Sequence, residues 1–219
     1  MTKILIIDDH DLVRSGIRHL LACESDFEVI GEGVSGEEAI KLCKALHPDV
    51  LLMDVHMPGM GGLEATRRIL QVMPSVRVIA VTVCDQEPFP SKLLKAGAAG
   101  YLTKGASAEE MVRAIRTVSG GQRYISADIA QLLALSAYGG ASQSPFDALS
   151  EREMQIMIMI ANCESVNTIA ERLHLSPKTV NTYRYRVFEK LNIVSDVEMT
   201  VLAIRHGMID VDANARVKA

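Results

Sequence analysis

Five short apolar runs, Ile4–Ile7, Phe27–Ile30, Val50–Met53, Val76–Val81 and Ala98–Leu102, punctuate the first 120 residues, with segments of helical periodicity between them. The runs are near-continuous, as in KILII and VRVIAV, rather than alternating. A strand reads this way when both of its faces are buried. The pattern therefore predicts five parallel strands covered by helices on both sides, a doubly wound α/β domain over residues 1–120. Ser35 before Gly36-Glu37-Glu38 and Ser107 before Ala108-Glu109-Glu110 read as helix starts of the capping-box kind.

After Gly120-Gly121 the strand signals cease. Ser126 predicts the cap of a further helix through Leu133, and Ser136–Pro145, with Gly139-Gly140 at its centre, reads as a flexible linker, so residues 121–145 join two domains. From 146 to 219 the expected fold is all-α, with four helical segments at Ser150–Asn162, Val166–Leu173, Lys178–Leu191 and Asp196–His206. A chain of 219 residues that is 48% hydrophobic can supply two cores. Its opening MTKILIIDDHD has four apolar residues before three acids, too little for a signal peptide or membrane anchor, and predicts a cytoplasmic protein without membrane association. Cys23, Cys43, Cys84 and Cys163 show no CxxC or metal-ligand spacing and read as buried small hydrophobes.

In a doubly wound sheet functional groups collect at the carboxyl ends of the strands. The first run ends in Asp8-Asp9, the third in Asp54, the fourth in Thr82 and the fifth in Lys104, so one rim gathers three carboxylates, a hydroxyl and an ammonium. Like charges this close repel, and a hard divalent cation such as Mg²⁺ with oxygen ligands relieves them. A carboxylate beside such an ion can attack a phosphoryl donor while a lysine and a hydroxyl engage the phosphoryl oxygens. Asp54, alone at the end of the central strand, is the better nucleophile; the adjacent Asp8 and Asp9 suit the metal. A single strand-end aspartate is more often a helix cap. Three of them, with Thr82 and Lys104 at matching strand ends, favour a site.

Asp8-Asp9, Asp54-x-x-Met-Pro-Gly, Thr82 and Lys104 resemble the receiver domain of bacterial two-component response regulators over residues 3–120. The resemblance implies that Asp54 accepts a phosphoryl group from a sensor histidine kinase. It also implies that Asp8, Asp9, Asp54 and the backbone carbonyl of His56 hold Mg²⁺, and that Lys104 and Thr82 contact the phosphoryl group. Tyr101 matches the aromatic that turns inward on activation. Gly105 departs from the pattern, since many receivers have proline after the lysine. Gly31-Glu32-Gly33-Val34-Ser35-Gly36 satisfies GxGxxG, but it follows the second strand instead of the first and lacks a suitable acidic partner, so it is read as a loop and helix cap rather than a dinucleotide site.

In the second half, Leu149-Ser150-Glu151-Arg152-Glu153 opens a helix with a capping box, and Leu175-Ser176-Pro177 makes a sharp turn, Ser176 capping and Pro177 in the first helical position. On the helix that follows, Val180, Tyr183, Val187 and Leu191 would face the core, leaving Asn181, Thr182 and Tyr185 outside with Lys178, Thr179, Arg184 and Arg186 around them. The chain is net −4, yet Lys178–Lys190 holds four basic residues against Glu189 alone. A charge run on a helix is usually only a solvated face. Beside a helix-turn-helix pattern it suits the major groove, with cations on phosphates and Asn181 able to pair with adenine.

The stretch LSEREMQIM…IAERLHLSPKTVNTYRYRVFEKL resembles the LuxR-type DNA-binding domain over residues 146–210, which with the receiver resembles the NarL/FixJ response regulators. AVTVCDQEPFP, GAAGYLTKGA, GQRYIS and SPKTVNTYRYR are similar to the GacA/UvrY/LetA subgroup. That implies a regulator rather than an enzyme, phosphorylated by a hybrid sensor kinase, which binds promoter DNA as a homodimer through a contact on its last helix and activates transcription. Two other readings stay open on the residues alone: a Mg²⁺-dependent phosphohydrolase, disfavoured because position 56 is His and not a second carboxylate, and a docking module that works without phosphorylation.

Overall fold

In the computed structural model the chain divides into two compact units, Met1–Ala141 and Ser142–Ala219. The structure describes residues 1–57, 59–83, 89–138, 145–206 and 208–209. The first unit runs β1 (Thr2–Ile7), α1 (Asp11–Leu21), β2 (Phe27–Gly33), α2 (Gly36–Leu46), β3 (Val50–Met53), α3 (Gly62–Val72), β4 (Arg77–Thr82), α4 (Phe89–Lys95), β5 (Gly100–Thr103), α5 (Ala108–Ser119), β6 (Tyr124–Ile125) and α6 (Ala127–Tyr138). The sheet has the order β2-β1-β3-β4-β5-β6, and every pairing is parallel.

Alternate side chains of β1, β3 and β4 enter two separate cores. Ile4, Ile6, Val50, Leu52, Ile79 and Val81 pack with Ile17 and Leu21 of α1 and Met111, Ala114 and Ile115 of α5. Leu5, Ile7, Leu51, Met53 and Val78 pack on the other side with Ala39 and Cys43 of α2 and Ala65 and Ile69 of α3. Burial on both faces is why the strands lack apolar/polar alternation.

The sheet is six-stranded where five strands were expected. β6 is two residues long, too short to carry a periodic signal, and it pairs Tyr124 and Ile125 with Gly100 and Tyr101 of β5. The helix after it extends to Tyr138, into the segment read as linker, and Ser126 precedes it without capping: its hydroxyl is buried with no hydrogen-bond partner among the described residues. The cysteines divide. Cys43 is buried, but Cys23, just past the end of α1, and Cys163, past the end of a C-terminal helix with φ of 62°, are exposed. Cys84 and the expected linker residues 139–144 lie outside the described residues.

The second unit comprises a 3₁₀ turn (Pro145–Ala148) and the helices α7 (Glu151–Ala161), α8 (Val166–Leu173), α9 (Pro177–Leu191) and α10 (Asp196–Arg205). Four serines set its helix starts. Ser150, Ser165, Ser176 and Ser195 each accept a hydrogen bond from the backbone amide three residues on. At Ser150 the box is reciprocal, because the Glu153 carboxylate accepts from the Ser150 amide at 2.8 Å. Among the described residues no helix is long and apolar enough to cross a membrane.

Glu153 is only 3% exposed and also accepts from Lys190 Nζ of α9 at 2.7 Å. Burial pulls its pKa up, but the Lys190 ammonium and the Ser150 amide outweigh burial and leave it below the ordinary 4.5. A carboxylate with a lowered folded-state pKa stabilises the fold above its unfolded value, and the gain is lost as pH falls through the folded value. Glu153→Gln is therefore expected to destabilise this unit by about 1–2 kcal/mol at pH 7. Thermal denaturation of the two proteins should show that difference shrinking as the pH is taken below that of an ordinary glutamate.

Candidate functional sites

The sheet order reverses direction between β1 and β3, which makes the crevice beyond their carboxyl ends the place where loops diverge and a ligand can enter. Asp8 and Asp9 follow β1, Asp54 follows β3, Thr82 closes β4 and Lys104 follows β5. The loop after Asp54 is held tight by Gly62, whose amide donates to the Val55 carbonyl at 3.0 Å. A Cβ at Gly62 would lie 2.0 Å from the Asp54 carbonyl oxygen, so no larger residue fits without moving the loop that carries Asp54.

Asp8 and Asp54 are each 2% exposed. Lys104 Nζ bridges them, 2.7 Å from Asp8 Oδ2 and 2.9 Å from Asp54 Oδ2. Asp54 Oδ1 accepts from the backbone amides of Val55 and His56 at 2.7 and 3.3 Å. Burial, followed by the neighbouring Asp8 charge, still pushes the Asp54 carboxyl up to about 6, although Lys104 pulls the other way. The same desolvation works against the charge of Lys104, but the two carboxylates prevail and raise its pKa above that of an ordinary lysine.

Ligand atoms of Asp8, Asp9, His10 and Asp54 all lie within 4.8 Å of one another. Asp9 Oδ1 is buried without a hydrogen-bond partner among the described residues. An oxygen-rich cluster with an orphaned lone pair and a surplus of negative charge fits a hard divalent cation. On the opposite side Thr82 Oγ1 lies 3.4 Å from His56 Nδ1, and the His56 ring meets Phe89 edge-on at 4.8 Å between centroids. Burial and the nearby Lys104 charge lower the His56 pKa to about 4, so the imidazole is neutral at physiological pH. Thr82 and Tyr101 are fully buried, Tyr101 with its ring inside the sheet's cover.

At the GxGxxG stretch the chain's own atoms crowd the glycines. A Cβ at Gly33 would meet the Ile7 and Leu42 side chains, and one at Gly36 the Met60 carbonyl at 2.3 Å. These glycines serve close packing of the chain against itself.

In the second unit, Val180, Val187 and Leu191 of α9 are buried, while Lys178, Thr182, Tyr185 and Arg186 are exposed; Asn181, Thr179 and Tyr183 are half-buried. Tyr185 is 62% exposed, unusual for a side chain of its size. The basic residues of this helix are not equivalent. Arg184 makes a bidentate pair with Asp196 of α10, Nε to Oδ1 at 2.7 Å and Nη2 to Oδ2 at 2.6 Å, and its guanidinium also lies over the Phe188 ring at 5.3 Å. Lys190 is tied to Glu153. Lys178 and Arg186 keep their charge on the outer face.

Two residues near the acidic rim have no counterpart in the sequence reading. His10 stands beside both aspartates, with Nδ1 2.9 Å from Asp9 Oδ1. Arg14, 9% exposed, donates from Nη1 to the Asp8 carbonyl at 2.7 Å, pairs with Asp11 and approaches Glu32 of β2 at 3.6 Å. The signal for Arg14 is in the chain: it falls three and seven residues before Ile17 and Leu21, on the buried face of α1.

Residues 4–116 match the response regulator receiver domain family and residues 147–203 match the bacterial regulatory proteins of the luxR family. The chain is 60% identical over 211 residues to the response regulator GacA of Pseudomonas aeruginosa, covering 96% of this chain and 99% of that protein. It is 54% identical over 213 residues to the response regulator UvrY of Escherichia coli K12, covering 97% and 98%. Among solved structures, a LuxR-family two-component response regulator from Aurantimonas sp. SI85-9A1 is 37% identical with a TM-score of 0.61, covering 63% of this chain and 98% of that one.

The upward shift of Asp54 has a consequence for stability. A carboxyl whose folded-state pKa exceeds its unfolded value favours folding while protonated, fully below about 3.8, and that advantage is lost as pH rises through about 6. Without added metal, Asp54→Asn is expected to be more stable than the wild type at pH 8, by on the order of 2 kcal/mol. The two proteins should converge near pH 4, and denaturant titrations at the two pH values measure this; a variant less stable at pH 8 would contradict the electrostatic account.

Proposed function

The chain belongs to the NarL/FixJ response regulators, in their GacA/UvrY subgroup, with a receiver domain and a LuxR-type DNA-binding domain; on that premise we propose that it is a phosphorylation switch acting on promoter DNA in the cytoplasm. In this reading residues 1–120 are the receiver, 121–145 connect, and 146–219 bind DNA. The observation that carries it is the Lys104 ammonium between two buried carboxylates, one of which, Asp54, ends the central strand beside the switch in strand order.

Asp54 is the phospho-acceptor. Asp8, Asp9, Asp54 and the His56 backbone carbonyl hold Mg²⁺, which when bound neutralises phosphoryl oxygens that the acidic rim would repel. As the P–N bond of a phosphohistidine on the sensor kinase, a hybrid kinase in this subgroup, breaks and the imidazole leaves with its electron pair as a neutral ring, Asp54 Oδ forms the new O–P bond. Its depth excludes water, and the two backbone amides on Oδ1 hold the carboxylate in place. Lys104 then turns from pairing two carboxylates to pairing the phosphoryl group. Thr82 moves toward the same group, and Tyr101, fully buried behind it, keeps the inward position. The change biases a pre-existing equilibrium of the receiver surface around β4 and β5, and so the DNA affinity of the second unit.

On DNA the outer face of α9 enters the major groove. Asn181, Thr182 and Tyr185 face base edges, while Lys178, Thr179 and Arg186 engage phosphates. Arg184, expected from the sequence among the phosphate contacts, serves here instead as the tie between α9 and Asp196 of α10. Val197, Val201 and Ile204 recur at helical spacing on α10 and are 72%, 42% and 40% exposed. That apolar row supports dimerisation of the phosphorylated protein through α10, and the protein then activates transcription.

Incubation with Mg²⁺ and acetyl phosphate followed by mass spectrometry tests the receiver. The wild type is expected to gain one acid-labile phosphoryl group and Asp54→Asn none; a variant that still gained it would sink the assignment. For DNA, Lys178→Ala is expected to weaken binding on all sequences and flatten its salt dependence by about one ion, whereas Asn181→Ala relaxes base preference. Arg184→Ala should lower the melting temperature and leave the salt slope unchanged. A slope flattened equally by Arg184→Ala would return that residue to the phosphate contacts.

A further inference from the structure

His10 lies among the candidate ligand atoms of the acidic rim but has no part in the phosphorylation switch. It occupies the N-cap position of α1, yet its side chain caps nothing. Its backbone amide donates to Asp8 Oδ1 at 2.8 Å, and its imidazole, 57% exposed, stands at the mouth of the acidic rim. Nδ1 lies 2.9 Å from Asp9 Oδ1 and 3.3 Å from Asp8 Oδ1. Despite that proximity Asp9 Oδ1 has no hydrogen-bond partner among the described residues. Side-chain atoms of three successive residues thus converge, with Asp8 Oδ1 held by the His10 amide and Asp9 Oδ1 left without a hydrogen bond among the described residues.

Their separations carry the argument. An octahedron with metal–ligand bonds of about 2.1 Å has neighbouring ligands about 3 Å apart, which is the spacing of His10 Nδ1 from the two carboxylate oxygens. Lys104 does not compete for this position, because it engages Asp8 and Asp54 through their Oδ2 atoms, away from His10. Mg²⁺ prefers oxygen and keeps water where protein oxygen is lacking. Imidazole nitrogen suits the first-row transition ions, which bind a mixed nitrogen and oxygen set more tightly.

Resting on the reading of the acidic rim as a divalent-cation site, the geometry points to His10 Nδ1 as a further metal ligand that makes the pocket favour borderline divalent ions, of the Co²⁺ and Ni²⁺ kind, over Mg²⁺. Mg²⁺ occupies the same pocket with water in place of the imidazole. A competing account makes His10 a cation that holds Asp8 and Asp9 in place. It predicts equal effects on every metal, so the ratio between metals separates the two.

The test is calorimetric titration of the metal-stripped full chain with MgCl₂ and with NiCl₂, in the wild type, His10→Ala and His10→Gln. Asp9→Asn is included so that only the ion held at the pocket is counted. His10→Ala and His10→Gln are expected to weaken Ni²⁺ binding by about tenfold or more and to leave Mg²⁺ affinity within about twofold. With Mn²⁺ as the probe, the electron spin echo of the wild-type complex is expected to show modulation from an imidazole nitrogen, lost in His10→Ala. Unchanged Ni²⁺ affinity, equal losses for both metals, or no nitrogen modulation would each overturn the role of His10 while Mg²⁺ binding stands. Failure of Mg²⁺ to bind the wild type would instead overturn the cation site itself, and this inference with it.

Discussion

Lys104 Nζ lies between Asp8 Oδ2 and Asp54 Oδ2, and both carboxylates are almost wholly withdrawn from water. In so dry a place two anions repel strongly, since effective screening is far weaker than in bulk solvent. One ammonium offsets two charges, and the balance remains negative. The first unit therefore holds at the end of its central strands a surplus of negative charge that favours either a proton on Asp54 or a bound cation. Burial, reinforced by the Asp8 charge, outweighs Lys104 in raising the pKa of Asp54, while the two carboxylates outweigh burial in raising that of Lys104.

Much of the surrounding structure exists to hold this arrangement in place. The Lys104 amide donates to the Thr82 carbonyl at 2.8 Å, locking the end of β5 to the end of β4. The Asp54 amide donates to the Ile7 carbonyl at 2.8 Å, and the Asp8 amide to the Gly33 carbonyl, so the ladder carries on past the strand ends to the functional residues themselves. Arg14 fixes the Asp8 carbonyl from below, and Gly62 allows α3 to start against the Asp54 carbonyl. Side chains supported in this way lose little freedom when a ligand arrives, which suits a site that engages its ligand through fixed charges.

The sequence makes some of these features plain and hides others, for physical reasons that differ from residue to residue. Val50–Met53 announces its strand because four consecutive buried residues have no other economical arrangement between Gly- and Pro-marked loops, and Asp54 is conspicuous as the first charge after it. Tyr124-Ile125 announces nothing, because two residues carry no period. Residue type predicts burial for Cys23 and Cys163, but each lies just past a helix end and is exposed. Arg14 shows how a buried charge disguises itself. Its place on the apolar face of α1 is visible in the spacing, while the Asp8 carbonyl it serves is six residues upstream and comes within reach only once the strand and the helix are packed.

The same contrast governs α9, where counting charges along the chain overstates what DNA would meet. Lys178, Arg184, Arg186 and Lys190 look alike in sequence. Packing sorts them: Arg184 goes to Asp196 in a bidentate pair with stacking on Phe188, and Lys190 goes to the buried carboxylate of Glu153. Each would have to abandon a near-ideal partner to reach a phosphate, and abandoning Glu153 would leave a charge in the core of the unit. The electrostatic footprint of the helix thus rests on Lys178 and Arg186. The other two cations tie α9 to α10 and to α7, so half of the helix's positive charge holds the unit together and half of it stays on the exposed face.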